Sequence, residues 1–162
     1  MFWDKEKETL DRKQIEELQS ERLRAVLSRA VKSEFYSKKF KECGVDIGEI
    51  RGLQDLHKLP FTVKQDLRDY FPYGFLTVDK SQIIRLHASS GTTGKSTAVL
   101  YTRHDIDMWT EMLARCMTMV GMTSNDIFQN MTGYGMFTGG LGMHYGAERI
   151  GALAIPMGAG NT

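Results

Sequence analysis

The sequence predicts an α/β protein in two parts: a helical N-terminal segment over residues 1–80, then the start of an α/β subdomain over residues 81–162. Three observations support this. The first part carries a long helical pattern of apolar residues. The second part begins with an alternating strand pattern that runs into a glycine-rich loop, and it ends with two short apolar stretches flanking a helical one, the pattern of a β-α-β unit.

Composition and charge exclude several classes of protein. The chain has 162 residues, 41% hydrophobic and 25% charged, as in globular proteins. With 21 basic and 20 acidic side chains, a net charge of +1 gives no electrostatic basis for a nucleic-acid or membrane partner. We expect neither a signal peptide nor a membrane span, because the first residues lack the apolar core of a signal peptide and no apolar stretch approaches spanning length. Cys43 and Cys116 fit neither a zinc site nor a disulfide framework. We therefore expect a cytoplasmic protein with reduced thiols.

The first 80 residues predict one long helix and then an irregular segment. From Gln14 to Phe40 the apolar positions repeat at helical spacing, and Gly44 is placed to end the helix. Between residues 53 and 75, prolines interrupt short helical patterns, and Thr62 with Asp66 predicts the start of a brief helix. We expect the aromatic residues of this segment to pack: Phe61, Tyr70, Phe71, Tyr73 and Phe75.

The strongest chemical signal is the loop SSGTTGKS, residues 89–96, which we call the glycine-serine loop. Residues 83–88 precede this loop, and in them Ile84 and Leu86 alternate with Arg85 and His87. The alternation predicts a half-buried strand that leads into the glycine-serine loop. Glycines and hydroxyls of this kind let several donors approach a phosphate. A Walker A loop would need a glycine at Ser89 and a helix afterwards, whereas residues 97–102 predict a strand. A glycine-serine turn without a ligand is the other alternative.

A helix and a β-α-β unit are predicted after the loop. Thr102 and Asp105 form a capping box, and Gly121 closes the helix. One face of this helix is expected in the core, and the methionines are expected there as well. The residues of this face are Ile106, Trp109, Leu113, Cys116, Met117 and Val120. Strands over 127–131 and 152–157 then flank a glycine-rich bend and a helix ending near Ile150, which predicts a parallel crossover. Ligands bind where such bends leave a strand.

Four sequence blocks together resemble a known family. They are SERLRAVLSRAVKSEFYSKKFKECGV, KLPFTVKQDLRDYFPYGF, HASSGTTGKS and YGMFTGGLGMHYGAERIG. The chain resembles the N-terminal part of the phenylacetate-coenzyme A ligases, within the adenylate-forming (acyl-activating) enzyme superfamily. The resemblance implies an acid-thiol ligase of phenylacetate catabolism. Such an enzyme uses ATP and Mg²⁺ to convert a phenylacetate-like aryl acid into an acyl-adenylate, and then uses coenzyme A to form the thioester. It also implies a possible homodimer.

The resemblance assigns site residues within both glycine-rich blocks. The ATP phosphates fall on Ser89, Ser90, Gly91, Thr92, Thr93, Gly94 and Lys95, with Thr92 and Thr93 as possible Mg²⁺ ligands. Ser96 stands where the family usually has proline. The aryl-acid pocket falls on Tyr134, Phe137, Gly139 and Gly140, although an ordinary glycine-rich turn with two core aromatics is the alternative. His144 and Glu148 are four apart and fit a helix-surface pair better than a metal site, because no third ligand is evident.

No catalytic residue is expected within this chain. In the family, the threonine-glutamate pair for magnesium, the ribose-binding aspartate and the catalytic lysine belong to segments after this point. We therefore expect a truncated ligase that is inactive by itself. The alternative is a stand-alone, non-catalytic binding or interaction module derived from the same scaffold.

Overall fold

A computed structural model of the chain describes residues 1–89 and 96–160, which fall into two compact units. The first, called the helical unit below, contains residues 10–81 and 96–98. The second, called the α/β unit, contains residues 1–9, 82–89 and 99–160. The mixed fold predicted from the sequence is confirmed, whereas a domain boundary at residue 80 stays a prediction.

The helical unit contains three α-helices, α2 (Arg12–Ala30), α3 (Glu34–Glu42) and α4 (Lys64–Asp69), while α1 (Lys5–Glu8) precedes them in the α/β unit. Two 3₁₀ turns, Ile47–Glu49 and Leu53–Lys58, lie between α3 and α4.

The prediction of one helix from Gln14 to Phe40 is wrong, because Ser33 divides it. The Ser33 hydroxyl donates to the Ala30 carbonyl at 2.8 Å and accepts from the Tyr36 N–H at 3.2 Å. A serine that bonds in this way caps a new helix and ends the preceding one. The predicted stop is confirmed, since Gly44 has a φ of +65°, a conformation that glycine tolerates.

Apolar and aromatic contacts form the core of the helical unit. Leu27, Phe40 and Ile50 are buried together. An aromatic cluster surrounds Phe35, whose ring stacks on that of Phe75 with 4.4 Å between the ring centres. The edge contacts of this cluster come from Tyr36 and Tyr70. Of the aromatic residues predicted to pack, Tyr70 and Phe75 do so.

The remaining aromatic predictions for this segment are wrong. Phe61 is 90% exposed, and Phe71 and Tyr73 are about half exposed. The brief helix predicted near Thr62 is α4, whose first turn is capped by Asp66 accepting from the Val63 N–H at 2.8 Å.

The α/β unit contains two small sheets and two long helices. Strands β1 (Ile83–Ala88) and β2 (Ala98–Thr102) are neighbours in one sheet. Strands β3 (Ile127–Gln129) and β4 (Leu153–Ile155) pair in parallel, with Phe128 opposite Ala154. Helices α5 (Arg103–Met119) and α6 (Gly139–Ile150) complete the unit. The predicted parallel β-α-β connection and the Thr102–Asp105 capping box are both confirmed.

Glycines on α6 allow close packing against α5. A methyl group at Gly146 would lie 2.7 Å from Leu113 Cβ, and one at Gly142 would collide with the Trp109 ring. The core prediction for α5 holds for Ile106 and Met117, which are buried.

The same prediction fails at the C-terminal end of α5. Cys116 is exposed and Val120 is 80% exposed. Three of the helix methionines, Met108, Met112 and Met119, are also exposed. Apolar periodicity thus identified the helix but assigned it too wide a buried face.

The N-terminal residues belong to the α/β unit through contacts with α5. The Trp3 indole N–H donates to Glu111 Oε2 at 2.8 Å, and Arg115 pairs with Glu8 at 3.2 Å. Glu111 also pairs with Arg149 on α6, so this carboxylate joins three segments. Residues 1–9 therefore pack with elements that follow them by a hundred positions.

Candidate functional site

The glycine-serine loop is flanked by two strands that pair with each other. β1 ends at Ala88 and β2 begins at Ala98, so a strand follows the loop, as the sequence predicts. Ser89 and Ser96 lie within the described ranges. The other predicted phosphate ligands lie outside the described residues: Ser90, Gly91, Thr92, Thr93, Gly94 and Lys95. Their assignment stays a prediction.

Strand β1 has its polar side chains inside. His87 is 3% exposed, whereas Ile84 on the opposite face is 46% exposed. Arg85 donates to the Tyr145 hydroxyl at 2.8 Å, and its guanidinium lies 5.1 Å from the centre of the Tyr145 ring. The half-buried strand is thus present, but partners on α6 and in the loop before α6 make the polar face the buried one.

His87 connects the end of β1 with residues 130–138, which we call the β3–α6 loop. The His87 Nδ1 atom lies 2.9 Å from the Met136 carbonyl oxygen, and the Ala88 N–H donates to the same oxygen at 3.1 Å. The His87 ring is enclosed edge-on by Tyr101 and Trp109, at 5.5 and 5.8 Å between ring centres. Burial raises the pKa of Tyr101. Two adjacent donors on β1 therefore share one acceptor in the β3–α6 loop.

Asn130 is the hub of the β3–α6 loop. It is 1% exposed, and its Nδ2 atom donates to the Gly140 carbonyl at 2.7 Å and to the Tyr134 hydroxyl at 2.8 Å. Its Oδ1 atom accepts from the Thr132 hydroxyl at 2.6 Å and from the Thr132 N–H at 3.2 Å. All the bonding capacity of the amide is directed at the first half of the loop and at the first turn of α6, which fixes the shape of the loop.

A directed chain of hydrogen bonds continues from Asn130 to the surface of α6. Because Tyr134 accepts from an amide N–H, its own proton is free to reach His144 Nδ1, 3.2 Å away. The His144 Nε2 atom lies 3.1 Å from Glu148 Oε1. His144 and Glu148 therefore pair on α6 as their spacing predicts, with Glu148 half exposed and His144 largely covered. Among the described residues no group of three side chains is placed to hold a metal ion.

The four predicted pocket residues do not all lie together. Tyr134 and Gly140 share the Asn130 amide, and Gly140 also packs so closely on the Gly133 carbonyl that a side chain would collide with it. Phe137 is 67% exposed, and its ring lies over Gly139 at the start of α6. The structure thus forms two pairs at one loop, and their role as an aryl-acid pocket stays a prediction.

Sequence reasoning missed the residues that organise this site. The sequence pattern indicates His87 only as one position of an alternating strand, and it does not indicate Asn130. The available signal was positional, since a polar residue that ends or directly follows a strand stands where ligand loops begin.

Comparison with known proteins supports the resemblance. The chain is 47% identical over 156 residues to the phenylacetate-coenzyme A ligase of Escherichia coli, a match covering 96% of this chain and 36% of that enzyme. It is 43% identical over 163 residues to the Thermus thermophilus enzyme and 49% identical over 145 residues to that of Pseudomonas putida. These matches cover 37% and 33% of the two enzymes.

Solved structures of a CoA ligase also resemble the fold of this chain. A 2-hydroxyisobutyryl-CoA ligase in complex with 2-HIB-AMP and CoA superimposes with a TM-score of 0.87 and 31% identity, over 94% of this chain and 33% of the ligase. The same ligase in its postadenylation state gives a TM-score of 0.86. No protein-family model matches the chain. The chain therefore has the fold of the adenylate-forming CoA ligases and spans about a third of the length of the relatives it matches.

Proposed function

We propose that this chain, a homologue of phenylacetate-coenzyme A ligases over about a third of their length, carries the phosphate loop and part of the acid site of such an enzyme. The observation that carries the proposal is identity of 43–49% to enzymes of one name along 89–100% of the chain. This similarity to ligases favours the enzyme over a stand-alone binding module.

The proposed reaction has two steps. The carboxylate oxygen of an aryl acid attacks the α-phosphorus of ATP, forming an acyl-adenylate and releasing pyrophosphate. The thiol of coenzyme A then attacks the acyl carbon, forming the thioester and releasing AMP and a proton. The first step turns a poor leaving group into a good one, and positively charged or hydroxyl donors near the pyrophosphate stabilise the charge that develops.

Each loop contributes a separate task in this proposal. The hydroxyls, glycine amides and Lys95 of the glycine-serine loop hold the phosphates, and the Thr92 and Thr93 hydroxyls are oxygen ligands of the kind that Mg²⁺ accepts. Magnesium would neutralise phosphate charge there. Tyr134 and Phe137 offer aromatic surface to the ring of the acid.

None of the helices in the described ranges has the length and apolar character that a membrane span needs. Cytoplasmic location and a homodimer stay predictions.

Two preparations test the proposal. The purified 162-residue chain is expected to form neither AMP nor thioester from ATP, phenylacetate and coenzyme A. A hybrid in which it replaces the homologous part of the Escherichia coli ligase is expected to form both.

The loop's role is tested in that hybrid. Lys95→Ala is expected to raise the KM for ATP about tenfold or more, because a charge-assisted bond to phosphate is lost. Lys41→Ala, on the surface of α3, is the matched control. A properly folded hybrid without adenylation activity would contradict the proposal.

A further inference from the structure

One carbonyl group joins the end of β1, directly before the loop to which the proposed function assigns phosphate, to the β3–α6 loop, to which it assigns the acid. The Met136 oxygen accepts from the His87 ring at 2.9 Å and from the Ala88 N–H at 3.1 Å. His87 and Ala88 are the last residues of β1, directly before the glycine-serine loop, and Met136 lies 49 positions further along in the β3–α6 loop.

The chemistry of the acceptor fixes the state of the His87 ring. A carbonyl oxygen can only accept, so the proton of neutral His87 must be on Nδ1. The Nε2 atom is buried and has no hydrogen-bond partner among the described residues. The ring is thus held by aromatic contacts with Tyr101 and Trp109, and its one polar bond to a described residue is directed at the β3–α6 loop.

Other bonds hold the beginning of the same loop. Asn130 bonds through its side chain to Gly140 on α6 and through its main-chain N–H to Ile155 on β4, at 2.9 Å. The β3–α6 loop therefore has one attachment to α6 and β4 at its start and another to β1 near its end. A displacement of Met136 must either move the end of β1 or break the bond with His87.

We propose that His87 is a positioning residue that couples the end of β1, which leads to the proposed phosphate site, to the β3–α6 loop. This inference rests on the proposed function, since it treats the two loops as sites for phosphate and acid. The role of His87 is positioning, because the ring is 3% exposed and its Nδ1 atom is directed at the Met136 carbonyl. His87 makes the placement of the β3–α6 loop depend on the placement of the end of β1, so that occupation of one site preorganises the second.

The link is first tested in the 162-residue chain. Long-range ¹⁵N spectra of the histidine rings are expected to show His87 with its proton on Nδ1. In His87→Phe, which keeps a ring but removes the donor, amide exchange at Ala88 is expected to be at least threefold faster. His57→Phe is the matched control, because His57 Nδ1 also bonds a main-chain carbonyl, that of Gln54 at 2.8 Å, but in the helical unit. An Nε2 proton on His87, or unchanged exchange at Ala88, would overturn the link.

The coupling is then tested in the hybrid ligase with two opposite substitutions. His87→Asn keeps an N–H donor close to the Nδ1 position and loses the ring, whereas His87→Phe does the reverse. Positioning predicts that His87→Phe raises the KM values for ATP and phenylacetate together, about three- to tenfold, the worth of one hydrogen bond. His87→Asn is expected to retain both KM values while unfolding at a lower temperature, since it leaves a cavity.

A merely structural role predicts the opposite order. His87→Asn would then lose more active enzyme than His87→Phe, and both variants would keep the wild-type KM values. That result, or a rise in only one of the two KM values, would overturn the proposal. An inactive wild-type hybrid would contradict the proposed function instead, and the spectra and amide exchange of the chain would still decide whether His87 links the loops.

Discussion

The two units of this chain use their buried polar residues in opposite ways. In the helical unit, the partners of Ser33 and Asp55 among the described residues all lie within four positions in the chain. In the α/β unit, His87 bonds to a group 49 positions away. Asn130 bonds within its own loop and also to a group 10 positions away on α6. Local bonds define where a helix starts and ends, whereas bonds between elements hold loops in place. The bonds between elements therefore indicate that the α/β unit, and not the helical unit, holds its loops in the fixed positions that a binding site needs.

The largest effect is expected where the helical unit depends on apolar packing. Phe35→Ala removes a buried ring that contacts Tyr36, Tyr70 and Phe75, and it should lower the free energy of unfolding by about 3–5 kcal/mol. Urea titration followed by circular dichroism measures it. Phe61→Ala, at a highly exposed ring, should change it by less than about 0.5 kcal/mol. Similar costs for the two would mean that this unit is not held by its aromatic cluster.

The next effect tests whether the α/β unit depends on a polar hub. Asn130→Ala leaves the Gly140 carbonyl and the Tyr134 hydroxyl without their shared donor, at an expected cost of about 2–3 kcal/mol. Asn125→Ala, at an exposed position in the preceding turn, should cost little. If both substitutions are neutral by urea titration, the contrast between the units fails.

A smaller effect tests the close packing of α5 and α6. Alanine is the better helix former by about 1 kcal/mol, yet a methyl group at Gly146 would lie 2.7 Å from Leu113 Cβ. For Gly146→Ala the cost of overpacking should outweigh the gain in helix propensity, so that the free energy of unfolding falls by about 1–2 kcal/mol. Gly135→Ala, where a methyl group meets nothing within 4 Å, is the control. Stabilisation by Gly146→Ala would show that the helices can move apart without cost.

The smallest effect concerns one acidic residue in each unit. A bond from Lys58 lowers the pKa of Asp55, and backbone and hydroxyl bonds from Thr123 lower the pKa of Asp126. Each contribution to stability should be complete above the ordinary value near 3.8 and be lost as the pH falls through the lowered pKa. Salt should weaken the Asp55 contribution more, because its partner is a charge. Acid titrations of Asp55→Asn and Asp126→Asn at two salt concentrations measure this, and equal salt dependence would contradict it.

The sequence predicted elements well where the signal is local. The Thr102–Asp105 capping box, the stop at Gly44 and the strand leading into the glycine-serine loop all follow from residues a few positions apart. It failed at Ser33, where a small polar residue lies inside an otherwise continuous helical pattern. It also failed at Val120, because periodicity does not report how far a helix extends past its neighbour.

The site shows the same limit. The two glycine-rich blocks were identified from composition and resemblance, but the bonds that connect them were not. His87 and Met136 lie 49 positions apart, and nothing in either local pattern indicates that they meet. The role of Asn130 likewise depends on a carbonyl presented by α6, which only the folded chain defines.

The attachment of the N-terminal residues to α5 has a practical consequence for spectroscopy. The chain has two tryptophans, Trp3 and Trp109, and because residues 1–9 pack with α5, both lie in the α/β unit. Intrinsic indole emission will therefore report denaturation of that unit alone. Both thiols are exposed, so a fluorophore attached to Cys43 in a Cys116→Ser variant would supply the missing signal from the helical unit, and the melting of each half can be recorded in one sample.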